Sequence, residues 1–487
     1  MRQQFWGALV LVVISMTASA QTLDLATSQA DQVDAYLRDK MTKTRIPGMQ
    51  VAVVKDGHIV LSRHYGTASI EFGVPVEDDT VFAINSITKA FTGVAAIRLA
   101  EEGKLDISKP VGSYVADLPE AWRGVTIRQL LSHMSGLPDV MGAPTVETDA
   151  KAAWTWVQTR PVRFAPGERF DYCQTNYTLV QQVVNLIEGR PLDAPLAAAQ
   201  IKIADMAHTA YGDTYDVIPK RAPTYRWTSS SLSNSWTEAA TLLRATSERF
   251  LPFRRASSGL NSTASDMARW IISLQSGEVL NKESLASLWT PVAFNNGENG
   301  QWGMGWQILD RGTHRAAGMT GGGRAAFFIY PDDDVAVVIL TNLTGSFPED
   351  FIDKVAAIYA PDLPLSGVAA LRIALDQRGY HQAAKVAAEL AAKDPGIKWP
   401  ELELNDWGYR LMATNRRIEA LAIFQLNVSK NPNSSNAEDS LAQAYLANED
   451  TAAAITHYRR ALVLDPNNTS AKKNLAKLLP EATTPHS

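Results

Sequence analysis

Apolar residues recur along this chain in two rhythms. Met49 to Val54 is a valine-rich run, and a second run, His58 to Tyr65, follows it after Lys55-Asp56-Gly57. Asp-Gly between two such runs is a strong signal for a tight β-hairpin. Trp302 to Leu309 reads as a further strand. Ala325 to Tyr330 and Val335 to Leu340 read as a second hairpin, turned by Pro331-Asp332-Asp333-Asp334. Elsewhere the apolar period lengthens to that of a helix. Asp31 to Met41 reads as a helix that Ile46-Pro47-Gly48 breaks. Ala90, Phe91, Val94, Ala95, Ile97 and Leu99 fall at helical spacing with little polarity on any face, which predicts a buried helix. Glu101-Glu102-Gly103 reads as its end, with the glycine just past the last turn. Val125 to Leu131, Thr178 to Glu188 and Phe351 to Ala360 read as further helices. One more opens at Gly259 to Asp266, where Thr263 and Asp266 have the spacing of a capping box.

From about Gly367 the texture changes to alanine-rich helices. Pro432 and Pro466 lie 34 residues apart, and Gly408/Ala442, Ala420/Ala454 and Phe424/Tyr458 share that offset. This is the tetratricopeptide period, with small residues where two helices touch and an aromatic where repeats stack. Pro395 closes a weaker first copy containing Gly379 and Ala384, giving two and a half repeats. Such units either bind peptides or brace a neighbour.

A length of 487 residues exceeds one hydrophobic core. The expected organisation is a signal peptide over 1–20, a first domain over 21–362 and a helical repeat domain over 363–487. Arg2, the apolar stretch Phe5 to Ile14 and Ala18-Ser19-Ala20 carry the signal reading, with cleavage after Ala20 and export to the periplasm or the medium. No later stretch reaches transmembrane length. The net charge of −5 and the lack of a Lys/Arg run argue against a nucleic-acid partner. Eight histidines without ligand spacing and a single cysteine predict no metal site, no cofactor and no internal disulfide.

The candidate chemistry starts at Ser86-Ile87-Thr88-Lys89. Residues three apart share a helix face, so Lys89 can reach the Ser86 hydroxyl. A lysine in a partly desolvated cleft loses its proton more readily and can activate a serine, or hold charge while another base does. The first turn of a buried helix also favours a developing oxyanion.

Three segments appear in a telling order: Ser86 to Lys89, Phe170-Asp171-Tyr172-Cys173-Gln174-Thr175-Asn176-Tyr177, and Met319-Thr320-Gly321-Gly322. Together they resemble the serine β-lactamase and penicillin-binding protein superfamily, within it the class C and esterase-like branch. Leu130 to Leu137, Pro166-Gly167, Gly259 to Asp266 and Thr341-Asn342 match as well, so the resemblance covers roughly Asp31 to Ala360. It implies an α+β fold, an antiparallel sheet flanked by helices, followed by the all-α repeat. It implies Ser86 as nucleophile, Lys89 as its partner and Tyr172 as general base or proton shuttle, with Lys89 favouring the phenolate. The backbone N–H groups of Ser86 and Gly322 would form the oxyanion hole, and Gln174, Met319, Thr320 and Gly321 would face the substrate.

Two positions depart from the family pattern. Gln174 stands where asparagine is usual, and Met319 where lysine or histidine is usual. The second removes the customary cation for a substrate carboxylate. Arg324 reads either as a replacement charge or as a solvated strand residue, and His314 lies too far upstream. Cys173 has no histidine within sequence reach and reads as a small buried residue. The expected function is an exported serine hydrolase acting on an ester or amide, with a small-molecule or peptide substrate and a protein or peptide partner for the repeats. The alternatives are a D-amino-acid peptidase or carboxypeptidase, and a catalytically silent ligand-binding protein.

Overall fold

The computed structural model describes residues 28–228, 242–311 and 314–479. The signal segment expected over 1–20 lies outside them. Contacts divide the described chain into two units, 28–224 with Thr246–Leu363, and 225–228 and 242–245 with 364–479.

The first unit is built on the hairpin seeded by Asp56-Gly57. Both residues have left-handed φ, 50° and 74°, as a two-residue turn with the strand twist requires. The turn joins Gly48–Lys55 to His58–Ser69. A seven-stranded antiparallel sheet runs from edge to edge as Val74–Pro75, His58–Ser69, Gly48–Lys55, Val335–Thr341, Ala325–Tyr330, His314–Gly321 and Gln307–Arg311. The first long strand therefore pairs with the last, from Met49 opposite Thr341 to Lys55 opposite Val335.

Alternation sorts the strand residues onto two faces. Val51, Val53, Val337, Phe328 and Tyr330 share one; Ala52, Val54, Val338, Phe327 and Met319 share the other. Both faces are covered, which is why the central strands read as continuous apolar runs rather than alternating ones. The helix Glu349–Tyr359 covers the first, where the Tyr330 hydroxyl donates to Asp353 at 2.6 Å. The helix Ala264–Gln275 covers the second, where the Ala264 N–H donates to Gln50 Oε1 at 2.9 Å and Trp270 meets Phe327 edge-on.

Three local expectations need correction. The strand expected from Trp302 begins at Gln307. Residues 302–306 instead form a loop, because Gly303 and Gly305 press against backbone: a Cβ on Gly305 would sit 2.6 Å from the Lys89 carbonyl oxygen. The Thr263/Asp266 capping box is half formed. Thr263 accepts from the Asp266 N–H at 3.0 Å, but the Asp266 carboxylate turns to the His208 N–H and the Thr209 hydroxyl, each at 2.8 Å. The helix expected from Thr178 starts at Gln174, whose N–H is capped by Asp139 Oδ1 at 3.2 Å.

Among its described residues the second unit carries seven α-helices: Gly367–Arg378, Ala383–Lys393, Glu401–Ala413, Arg417–Lys430, Ser435–Ala447, Thr451–Leu464 and Thr469–Leu478. They make three antiparallel pairs and a last single helix, one pair more than the repeat period suggested. Gly408 lets Phe424 in: a Cβ there would lie 2.5 Å from the Phe424 ring. Ala442, Ala454 and Tyr458 are buried at the matching positions. The first pair is out of step. Gly379 ends a helix with φ 90°, and Ala384 is exposed while Val386 and Ala387 are buried. The connection between the second and third helices, carrying Pro395 and Pro400, is longer than the four-residue connections after Lys430 and Leu464, and that shifts the register. Among the described residues no helix is long and apolar enough to cross a membrane.

Candidate active site

Ser86 sits where a strand becomes a helix. Phe82–Ala83 pairs with Leu260–Ser262, and the chain then tightens into a 3-10 turn over Asn85–Ile87 before the helix Thr88–Glu101. Ser86 thus precedes the helix rather than opening it. Asn85 holds a left-handed φ of 45°, a conformation asparagine tolerates better than most residues. Its side chain is fixed from outside: Arg324 Nη2 donates to Asn85 Oδ1 at 2.7 Å, and Arg324 is ion-paired with Glu248 and donates from Nη1 to Thr344 Oγ1 at 2.8 Å. Arg324 is 1% exposed. It is neither a solvated strand residue nor a free charge for substrate; it braces the turn that presents Ser86.

Lys89 is fully buried. Its Nζ donates to Ser86 Oγ at 3.2 Å and to the Ser257 carbonyl at 2.9 Å. Burial, reinforced by repulsion from Arg254, holds its pKa well below the lysine range. Its nitrogen also lies 4.8 Å from the centroid of the Tyr172 ring. Tyr172 therefore meets Ser86 and Lys89, although 86 residues separate Tyr172 from Ser86 in the chain. Burial pushes the Tyr172 hydroxyl above the ordinary tyrosine value, opposed by hydrogen bonds with Ser86 and Gln174. The phenolate expected from the neighbouring lysine is thus disfavoured, because burial keeps the hydroxyl protonated and pushes Lys89 itself towards its neutral form.

His133 was part of a matched block, but its role was invisible in sequence. It has φ 58°, and its Nδ1 accepts from the Cys173 N–H at 3.1 Å, pinning the segment that carries Tyr172. Its ring lies against Tyr172, centroids 4.3 Å apart, with Trp302 edge-on at 5.1 Å. The other hydroxyl and thiol nearby are occupied. Ser135 Oγ donates to Asn176 Oδ1 at 2.6 Å. Cys173 is buried, its Sγ faces the Leu137 carbonyl at 3.5 Å, and burial pushes its thiol up to about 11.

The third segment ends the strand His314–Gly321 beside the serine turn. A Cβ on Gly321 would fall 1.9 Å from the Ile84 carbonyl oxygen and 3.3 Å from the Ser86 nitrogen. Gly322 has φ 58° and abuts the Asn85 side chain. Only glycine permits this approach, and it brings the Gly321–Gly322 backbone against that of Ser86. Thr320 is half-buried on the opposite strand face from Met319. Met319, 2% exposed, packs in the core opposite Phe327 and presents no charge. Gln174 keeps its Oε1 buried without a hydrogen-bond partner among the described residues. His314 pairs with Asp333 at 2.8 Å.

This arrangement can deliver a serine oxygen and accept its proton beside the Gly321–Gly322 backbone. The beta-lactamase family profile matches residues 33–360, and a tetratricopeptide repeat profile matches 435–478. "Protein flp" of Staphylococcus aureus (strain N315) is 29% identical over 199 residues, 39% of this chain and 40% of that protein, so the chain spans less than half the length of that curated relative. Two solved structures share the fold. The D-amino acid amidase from Ochrobactrum anthropi SV3 superposes with TM-score 0.55 at 21% identity, covering 65% of this chain and 92% of its own. EstCE1, described as a hydrolase with promiscuous acyltransferase activity, superposes with TM-score 0.57 at 18% identity, covering 69% and 98%. With a profile match running through most of its length, the chain belongs to the beta-lactamase family.

Proposed function

We propose that the protein is a serine hydrolase that cleaves an ester or amide through an acyl-enzyme on Ser86. The observation that carries this reading is the buried Lys89 amine, 3.2 Å from Ser86 Oγ and driven towards neutrality. In the first step Ser86 Oγ bonds to the substrate carbonyl carbon while its proton passes to Lys89. The oxyanion is received by the N–H groups of Ser86 and Gly322. The carbon–heteroatom bond then breaks, and the leaving group takes a proton relayed through the Tyr172 hydroxyl. Tyr172 starts as a phenol, so it donates and is recharged by Lys89 without passing through a free phenolate. Water attacks the acyl carbon by the reverse relay and regenerates Ser86. The amidase named above and the acyltransferase activity described for EstCE1 favour an acyl carbonyl as the target. Export and a protein or peptide partner for the repeats belong to the same proposal; the first rests on the N-terminal sequence, the second on the repeat match.

A fluorophosphonate probe tests the assignment. The adduct is expected on Ser86, and Ser86→Ala should lose both labelling and ester turnover, the latter by several orders of magnitude. Intact mass of the labelled, exported protein should give Gln21 as its first residue. An adduct on Ser135 or Cys173 would sink the assignment. A folded protein that neither labels nor turns over esters would favour the silent binding protein, and a mass retaining Met1 would refute export.

A further inference from the structure

Arg254 takes or gives no proton in the chemistry above; its charge acts there only by repelling that of Lys89. It ends the 3-10 turn Pro252–Arg254. That turn is tied to the helix Gln174–Glu188: Gln181 Nε2 donates to the Pro252 carbonyl at 2.7 Å, and Gln181 Oε1 accepts from the Ala256 N–H at 2.9 Å. The N–H groups of Ser257 and Ser258 donate back to the Arg254 carbonyl at 3.0 and 3.2 Å. Ser257 in turn gives its own carbonyl to Lys89. The backbone delivering Arg254 is therefore fixed to the same turn that holds the catalytic amine.

The side chain is 5% exposed, and its Nε and Nη1 have no hydrogen-bond partner among the described residues. Phe250 lies under the guanidinium, 5.6 Å from ring centroid to Cζ, and offers no acceptor lone pair. Asp139, Glu147 and Glu248 attract Arg254 from a distance. Glu147, the largest of these attractions, is exposed to solvent, and the other two are engaged elsewhere. Glu248 pairs with Arg324, and Asp139 Oδ1 accepts from the N–H groups of Met141 and Gln174. Arg254 is close enough to Lys89 to repel its charge. A buried cation with idle donors is expensive to keep, and such a group calls for a reason, of which binding a ligand acceptor is one. Met319 leaves the third motif without a cation, and Arg324 is closed off by Glu248.

We propose that Arg254 is the recognition subsite for a carboxylate carried by the substrate. A carboxylate there meets charge-assisted N–H donors, which are stronger and more directional than neutral ones. The preferred substrates are then anionic esters or amides, in spite of Met319. This rests on the acyl-enzyme reading. The carboxylate sits either on the acyl portion or on the leaving group, and two matched ester pairs distinguish these. One pair is nitrophenyl hemiglutarate against nitrophenyl valerate; the other is 4-butyryloxybenzoate against phenyl butyrate.

The readout is the ratio of kcat/KM, anionic to neutral, within each pair. The wild-type ratio should exceed one for one pair, and Arg254→Gln should lower it about ten- to a hundredfold, the scale of a hydrogen bond to a charged group. Arg254→Lys should keep part of the preference. Ratios of one or below in both pairs overturn the subsite, as does a preference that survives Arg254→Gln. If Arg254→Gln fails to fold, the wild-type and Arg254→Lys ratios decide. Glutarate binding to Ser86→Ala protein, followed by calorimetry, separates the two readings. If no ester is cleaved, the acyl-enzyme reading falls, while glutarate affinity lost in Ser86→Ala/Arg254→Gln still supports the subsite. Affinity unchanged by that second substitution refutes it.

Discussion

At the scale of single residues, the proposed chemistry rests on desolvation. Among the described residues Lys89 has no counter-ion within hydrogen-bond reach; its Nζ contacts are a hydroxyl and a carbonyl. Its neutral form is therefore favoured below the usual 10.5. A base must be unprotonated to take the Ser86 proton, so activity rises with pH through the lowered Lys89 value and then levels. The kcat/KM profile on a neutral ester should reach its plateau well under pH 10.5. A rate still climbing to that pH would show an ordinary lysine and contradict the burial argument. Tyr172 moves the other way, so its ionisation should remove no activity at neutral pH. Lys89→Ala and Tyr172→Phe should each cost at least about a hundredfold, and the double variant little more than the poorer single, as expected of one proton-transfer unit. Ser86 and Lys89 are marked in the sequence by their spacing, and Tyr172 only by the resemblance of its segment to the family; the structure brings the three side chains together. Arg254, His133 and the Arg324–Glu248 brace were not legible there. Their meaning lies in which partners they have or lack, and those partners are distant in the chain.

At the scale of elements, close packing through missing side chains recurs in both units. Gly321 meets the serine turn, Gly305 meets the Lys89 carbonyl and Gly408 admits Phe424. Gly408→Leu sets two effects against each other. Helix propensity favours the change by about 1 kcal/mol. The Phe424 ring, 2.5 Å from where the Cβ would stand, opposes it, and overpacking of this kind costs about 1–3 kcal/mol. The clash should win, and chemical denaturation of the repeat helices should show a net loss of stability; a gain would mean that the two helices separate easily. Periodicity located the hairpins and most helices. It missed the loop at Trp302, the start of the helix at Gln174 and the phase of the first repeat pair. In each case a long-range contact or a connection length decides, and neither is written in local hydrophobicity.

At the scale of the molecule, the antiparallel sheet with helices on both faces follows from continuous apolar strands, and the helical repeat from the offset of 34 residues. The pairing of Gly48–Lys55 with Val335–Thr341 could not be read from pattern, since the partners lie nearly the whole unit apart. That pairing nevertheless explains the order of the chemical segments. The sheet is completed by the C-terminal part of the unit, and its strand His314–Gly321 supplies the wall beside Ser86. A long insertion between the first and last strands carries both the lysine helix and the tyrosine segment. Closing such a sheet requires distant contacts, which predisposes this unit to slower folding than the locally connected repeat helices.

The lone thiol follows the tyrosine of the site in sequence, and its burial has a use. Thiol reagents attack thiolate, and Cys173 is both inaccessible and protonated in the native state. It is thus a built-in clock for opening of the catalytic pocket. Modification by a maleimide at neutral pH should be far slower than for a model thiol, and should be limited by the frequency with which His133 and the Leu137–Pro138 carbonyls release the Tyr172 segment. A covalent inhibitor on Ser86 should slow that clock in proportion to how far it locks the pocket shut. Labelling as fast as free cysteine would mean the pocket stands open in solution.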